Sequence, residues 1–166
     1  IFDMDGTILN TLDDLADSMN HCLRARGLAE RSLQEIRTFL GNGIHRLVEC
    51  SVPDGTDAET LEKVYQVFLI YYKDHCAIKT CPYEGIPQVL QSLRRAGVLT
   101  AVVSNKADYA VKILCEDYFD GQFDFSVGEQ EGRRRKPYAD SDDAVMENFR
   151  IAKKDAVYIG DSEVDF

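Results

Sequence analysis

The 166-residue sequence lacks a basic face, a long apolar run and a paired-cysteine motif, and each absence narrows what the chain can do. Its 19 Lys and Arg stand against 29 Asp and Glu, a net charge of −10, which argues against neutralising a nucleic-acid backbone. No apolar stretch approaches the roughly 20 residues that span a bilayer, and no charged-then-apolar leader opens the chain. A cytoplasmic protein with neither a membrane nor a nucleic-acid partner is therefore expected. The five cysteines, Cys22, Cys50, Cys76, Cys81 and Cys115, are odd in number and contain no C-x-x-C. Reduced thiols fit this pattern better than a disulfide framework or a zinc site. His21, His45 and His75 have neither metal spacing nor a nucleophile to pair with. What is present is ordinary globular usage, 45% hydrophobic and 29% charged, enough for one core with a small insertion.

Ile1 and Phe2 read as the end of a buried strand opening into the loop Asp3-Met4-Asp5-Gly6-Thr7. From Thr11 to about residue 80 the pattern is helical. Leu12, Leu15, Ala16, Met19, Cys22 and Leu23 stripe one face of a helix that Gly27 ends. Ser32 with Glu35 is a capping box for a second helix. Gly41-Asn42-Gly43 interrupts it, a short helix follows to about Ser51, and a long one starts near Asp57. After Pro82 to Gly85 the pattern alternates. A helix ends at Gly97, residues 98–103 form an apolar strand, and residues 123–127 and 156–159 form two more, with helices over 107–117 and 142–149 between them. This predicts a doubly wound α/β fold with a mostly parallel sheet, residues 1–10 and 81–166, and a helical insertion, residues 11–80. The residues near both connections, 6–10 and 82–85, are of flexible or kinking types, which suits hinge closure.

In such sheets ligands gather at the carboxyl ends of strands. There the sequence places Asp3 and Asp5, then Ser104-Asn105-Lys106, then Gly160-Asp161-Ser162 with Asp165 four residues after Asp161; Lys136 lies in the loop region after the third strand. Carboxylates, a hydroxyl, an amide and one cation suit a hard divalent metal together with a phosphate. Arg133, Arg134 and Arg135 read as a solvated basic run.

D-x-D-G-T at residues 3–7, Ser104, Lys136 and G-D-S-x-x-x-D ending at Asp165 together resemble the haloacid dehalogenase superfamily of aspartyl phosphatases. Gly41-Asn42-Gly43 with Ser104-Asn105-Lys106 is similar to its phosphoglycolate phosphatase branch. The resemblance implies that Asp3 attacks phosphorus and that Asp5 protonates the leaving alkoxide and later activates water. It implies Mg²⁺ held by the carboxylates of Asp3 and Asp161 and the carbonyl of Asp5. Ser104, Asn105 and Lys136 would bind phosphate, and Gly6 and Thr7 would do so through backbone N–H groups. Asp165 would orient Lys136 or a metal-bound water, and the insertion would be a cap whose Gly41, Asn42 and Gly43 set specificity. It also implies a further strand and its helices beyond Phe166, roughly 50 residues. The expected reaction is Mg²⁺-dependent hydrolysis of a small phosphorylated metabolite, 2-phosphoglycolate, through an aspartyl-phosphate. A sugar-phosphate mutase and a non-catalytic binding protein stay open as alternatives. Oligomeric state is not indicated.

Overall fold

A computed structural model describes residues 1–165, which divide into two compact units: residues 1–10 with the chain from Cys81 onward, and Thr11–Thr80. In the first unit, β1 (Leu9–Asn10) and β2 (Cys81–Pro82) form a short antiparallel ladder, Leu9 opposite Pro82 and Asn10 opposite Cys81. The stretches expected to be loose are therefore tied together where the chain leaves the unit and returns. β3 (Ala101–Ala107) and β4 (Phe125–Glu129) pair in parallel. Phe2 makes a parallel bridge to Val102 on one side and to Ile159 on the other. The chain thus builds outward from residue 2 through β3 to β4, then returns to residue 159 on the opposite side. That reversal is a topological switch point, and it falls at the end of the first segment, just before Asp3. Ala101, Val103, Val127 and Val145 form a buried cluster beside the sheet. α5 (Ile86–Arg95), α6 (Asp108–Phe119) and α7 (Asp140–Phe149) connect the segments.

The second unit contains α1 (Leu12–Ala25), α2 (Leu33–Phe39), α3 (Gly43–Ser51) and α4 (Ala58–His75). The α1 stripe of Leu15, Ala16, Met19, Cys22 and Leu23 is buried, as are Ile36, Leu47, Val48, Val64 and Phe68. Ser32 and Glu35 make both halves of the capping box, and the Asp57 side chain accepts from Thr60 N at the start of α4. Asp14, buried on α1, accepts from the backbone N–H groups of Ile78, Lys79 and Thr80 at 2.8–3.0 Å. It closes the unit's last segment onto its first helix. All five cysteines are free thiols. No helix among the described residues is long and apolar enough to cross a membrane.

Three strand boundaries differ from those expected. Val98 and Leu99 lie outside β3 and are about half exposed, at 48% and 50%. Gly97 donates to Arg94 O and Val98 donates to Leu93 O, so Val98 completes the α5 C-terminal cap instead of opening a strand. β4 begins at Phe125 because Asp124 is used in fixing Thr100, whose N–H it accepts at 2.8 Å. Around residue 159 the chain bonds to the first segment, Asp3 N to Ile159 O at 2.9 Å and Ile159 N to Ile1 O at 3.0 Å, but only Ile159 qualifies as a bridge.

Candidate active site

The first segment delivers Asp3 and then turns at once. Gly6 N donates to Leu9 O and Thr7 N to Met4 O, and the turn requires φ +85° at Gly6. These two N–H groups are satisfied within the loop. Gly6 does something else: a methyl group there would overlap the Asp161 carboxylate, with its carbon 2.8 Å from Cγ. The Thr7 hydroxyl donates to Asp161 Oδ1 at 3.0 Å. Gly160 plays the matching part for Asp165, whose Cβ would lie 2.6 Å from an added methyl. Two glycines thus make room for two carboxylates beside Asp3. One oxygen from each of Asp3, Asp161 and Asp165 falls within 4.8 Å of the others.

Lys136 enters this acidic cluster almost completely buried, its side chain 4% exposed. Its ammonium donates to Asp3 Oδ1 at 2.7 Å, Asp165 Oδ1 at 2.6 Å and the Tyr158 hydroxyl at 3.0 Å, which uses all three of its hydrogens. The Tyr158 hydroxyl donates to Val103 O at 3.0 Å, and burial holds its phenol well above the usual range. Ser162 donates to Asp165 Oδ2 through both its N–H and its hydroxyl, each at 3.0 Å. Burial alone would raise Asp165, but the hydrogen bonds from Lys136 and Ser162 bring it below the ordinary carboxylate range. Both its oxygens are engaged, leaving Asp3 and Asp161 as the better placed to share a cation. Burial pushes Asp3 up to about 6, against the opposing pull of the Lys136 ammonium.

Ser104, Asn105 and Lys106 lie within β3, not after it. Val103 pairs with Val127 and Ala107 with Glu129, so these three residues stand opposite the single residue Gly128 and form a bulge. Asn105 is bonded to the backbone of Lys136: its Oδ1 accepts from Lys136 N at 2.8 Å and its Nδ2 donates to Lys136 O at 3.2 Å. The amide clamps the backbone of the buried lysine through one Nδ2 hydrogen and Oδ1. Ser104 is buried, its hydroxyl accepting from Lys106 N at 3.3 Å. Lys106 Nζ lies 2.9 Å from Asp5 Oδ1.

The structure thus gathers Asp3, Asp5, Gly6, Thr7, Asn105, Lys136, Asp161 and Asp165 in the first unit. Gly41, Asn42 and Gly43 lie in the second, the first two in the turn between α2 and α3 and Gly43 opening α3, with φ +99° at Gly41 and +80° at Gly43. Sequence reasoning missed Tyr158 and gave Lys106 no role. A tyrosine inside an apolar strand carries no local signal, whereas a lysine in a buried strand does, since ammonium groups are rarely buried unless paired.

A parallel sheet with carboxylates at its switch point and a buried lysine bridging two of them has the layout of a ligand site in a doubly wound α/β protein. The family model described as haloacid dehalogenase-like hydrolase matches residues 1–166, and the chain belongs to that family. It is similar to an N-acetylmuramic acid 6-phosphate phosphatase of Pseudomonas aeruginosa, 35% identical over 106 residues, which is 64% of this chain and 47% of that protein. It is also similar to a phosphoglycolate phosphatase of Aquifex aeolicus, 30% identical over 169 residues, 99% of this chain and 76% of that one. The matched stretches thus span about half and about three quarters of those relatives. Among solved structures, a candidate phosphoglycolate phosphatase of Lactobacillus delbrueckii subsp. bulgaricus superposes with a TM-score of 0.91 at 36% identity, covering 99% of this chain and 78% of that one. Within its family the chain stands with the phosphatases.

Proposed function

We propose that the protein hydrolyses a small-molecule phosphate monoester, 2-phosphoglycolate, through an aspartyl-phosphate on Asp3, with Mg²⁺ as cofactor. The observation that carries this reading is the buried Lys136 bridging Asp3 and Asp165 beside Asp161. A carboxylate held against an ammonium keeps a fixed attack direction, and the same ammonium would offset phosphate charge. In the first half-reaction an Asp3 oxygen forms a bond to phosphorus as the bond to the leaving oxygen breaks, and that oxygen takes a proton from the Asp5 carboxyl. In the second, a water oxygen bonds to phosphorus, the Asp3–phosphorus bond breaks, and the water proton returns to Asp5. Ser104, on the bulge, would bind a phosphate oxygen.

The donor set fits a hard divalent cation: carboxylate oxygens of Asp3 and Asp161 lie close together, with Asp161 lodged against Gly6 and Thr7. Asp3, Asp161 and the Asp5 carbonyl would hold it, and when bound it supplies the charge that lets an anionic nucleophile meet an anionic ester. The helical unit is assigned the cap role, with Gly41, Asn42 and Gly43 selecting the organic part of the substrate. The free thiols suit a cytoplasmic setting.

The acid specificity draws support from relatives that carry the phosphoglycolate phosphatase name over nearly the whole chain. A sugar phosphate is the second reading, because the 35% match over 106 residues is to a sugar-phosphate phosphatase. Measuring kcat/KM for 2-phosphoglycolate and N-acetylmuramic acid 6-phosphate, with Mg²⁺ and with a chelator, separates them. The expected result is Mg²⁺-dependent release with 2-phosphoglycolate preferred. Preference for the sugar ester would replace the substrate, and release undiminished by the chelator would remove the metal.

A further inference from the structure

Lys106 takes no part in the chemistry above, yet the fold goes to some length to place it. Its side chain is 1% exposed, and its ammonium lies 2.9 Å from Asp5 Oδ1 and 3.2 Å from Oδ2. Bringing an ammonium out of water costs several kcal/mol, about as much as a close pairing returns. A pair of this kind is a poor stabiliser compared with a well-packed apolar side chain, so stability alone does not account for it. The backbone around Lys106 is constrained as well. The bulge of β3 carries it past the regular register, and Gly128 on β4 has no side chain because a methyl would run into the Lys106 carbonyl oxygen. Asp108 pins the same point by accepting from Gly128 N at 2.8 Å.

We propose that Lys106 is a positioning residue for Asp5, aiming its carboxyl group at the leaving oxygen of the substrate; this rests on the reading of Asp5 as proton donor. Contact with both oxygens restrains rotation of the carboxyl group about its bond to Cβ. Asp5 stands beside the turn at Gly6, and its side chain is 23% exposed, so its carboxyl group borders water. A general acid acts only within hydrogen-bond reach of the atom it protonates. A displacement of about 1 Å costs on the order of 10²-fold in rate.

The leaving group provides the test. An alkyl phosphate needs its leaving oxygen protonated, whereas p-nitrophenyl phosphate releases a stabilised phenolate without that help. Because kcat/KM runs only as far as release of the alcohol or phenol, it excludes the later activation of water. With Lys106→Met, kcat/KM for the alkyl ester falls about 10²-fold further than for the aryl ester. Lys106→Arg restores much of the difference, since a guanidinium can also donate to both oxygens. Inhibition by inorganic phosphate keeps its wild-type constant. Asp5→Asn serves as the reference and shows the same selective loss. If Asp5→Asn is selective while Lys106→Met slows both esters equally or weakens phosphate inhibition, Lys106 binds the phosphoryl group directly and the proposal falls alone. If Asp5→Asn slows both esters equally, the reading of Asp5 falls and the proposal with it. Should Lys106→Met not fold, as judged by urea unfolding, Gly128→Ala displaces the lysine while retaining it, and the same selective loss is expected; an unchanged ester ratio overturns the proposal.

Discussion

Gly6 and Gly160 each have a carboxylate where a methyl group would go, so at these two positions the absence of a side chain is part of the site. Gly6→Ala puts an L-residue at φ +85° and pushes Asp161 away from Asp3. Displacing one carboxylate of a small donor set should weaken Mg²⁺ binding by about 10-fold or more. Isothermal calorimetry checks this, and a wild-type affinity would mean that Asp161 does not hold the cation. The thiols give a second expectation at this scale. Burial pushes Cys22 and Cys115 up to about 11, whereas Cys81 is exposed on β2. At pH 8 iodoacetamide should modify Cys81 first, and Cys22 and Cys115 at least about 10-fold more slowly. Mass spectrometry of a labelling time course reads the order, and equal rates would contradict the burial of these two thiols.

Among the elements, the helices of the second unit depend on caps and closures of unequal weight. The Ser32 capping box is on the surface, and Ser32→Ala should cost about 1 kcal/mol. Asp14 is buried and satisfies three successive backbone N–H groups, so Asp14→Ala leaves those donors unpaired and should cost about 3 kcal/mol or more. Urea unfolding of the two variants tests the ranking; a loss for Asp14→Ala no larger than for Ser32→Ala would show that the segment 78–80 closes by other means. The capping box and the α1 stripe were legible because their signals lie within four residues of one another. Asp14 was not, since its partners lie more than sixty residues away. The same distinction explains the strands. Residues 98–103 form one apolar run, but its first part is claimed by the α5 cap, and hydrophobicity does not distinguish a capping valine from a strand valine.

For the whole molecule, the catalytic reading depends on the switch point at Phe2, where the sheet grows in two directions just before Asp3. Most of the residues gathered there were legible as polar groups following apolar strands. Their partners were not: Asn105 to the Lys136 backbone, Tyr158 to Lys136 and Lys106 to Asp5 are contacts across the fold, made by residue types with several uses. In the proposed reaction Asp3 carries the phosphoryl group, and acid-quenching a single turnover with ³²P-labelled ester and Mg²⁺ traps that intermediate. Reduction with ³H-borohydride, which releases the phosphate and leaves tritium on the homoserine formed from the aspartyl carbon, and peptide mapping then locate the acyl phosphate. The account predicts label on the peptide containing Asp3 in the wild type, and neither label nor turnover in Asp3→Asn, whose near-isosteric amide cannot attack phosphorus. Label on any other residue, or turnover surviving in Asp3→Asn, would contradict it.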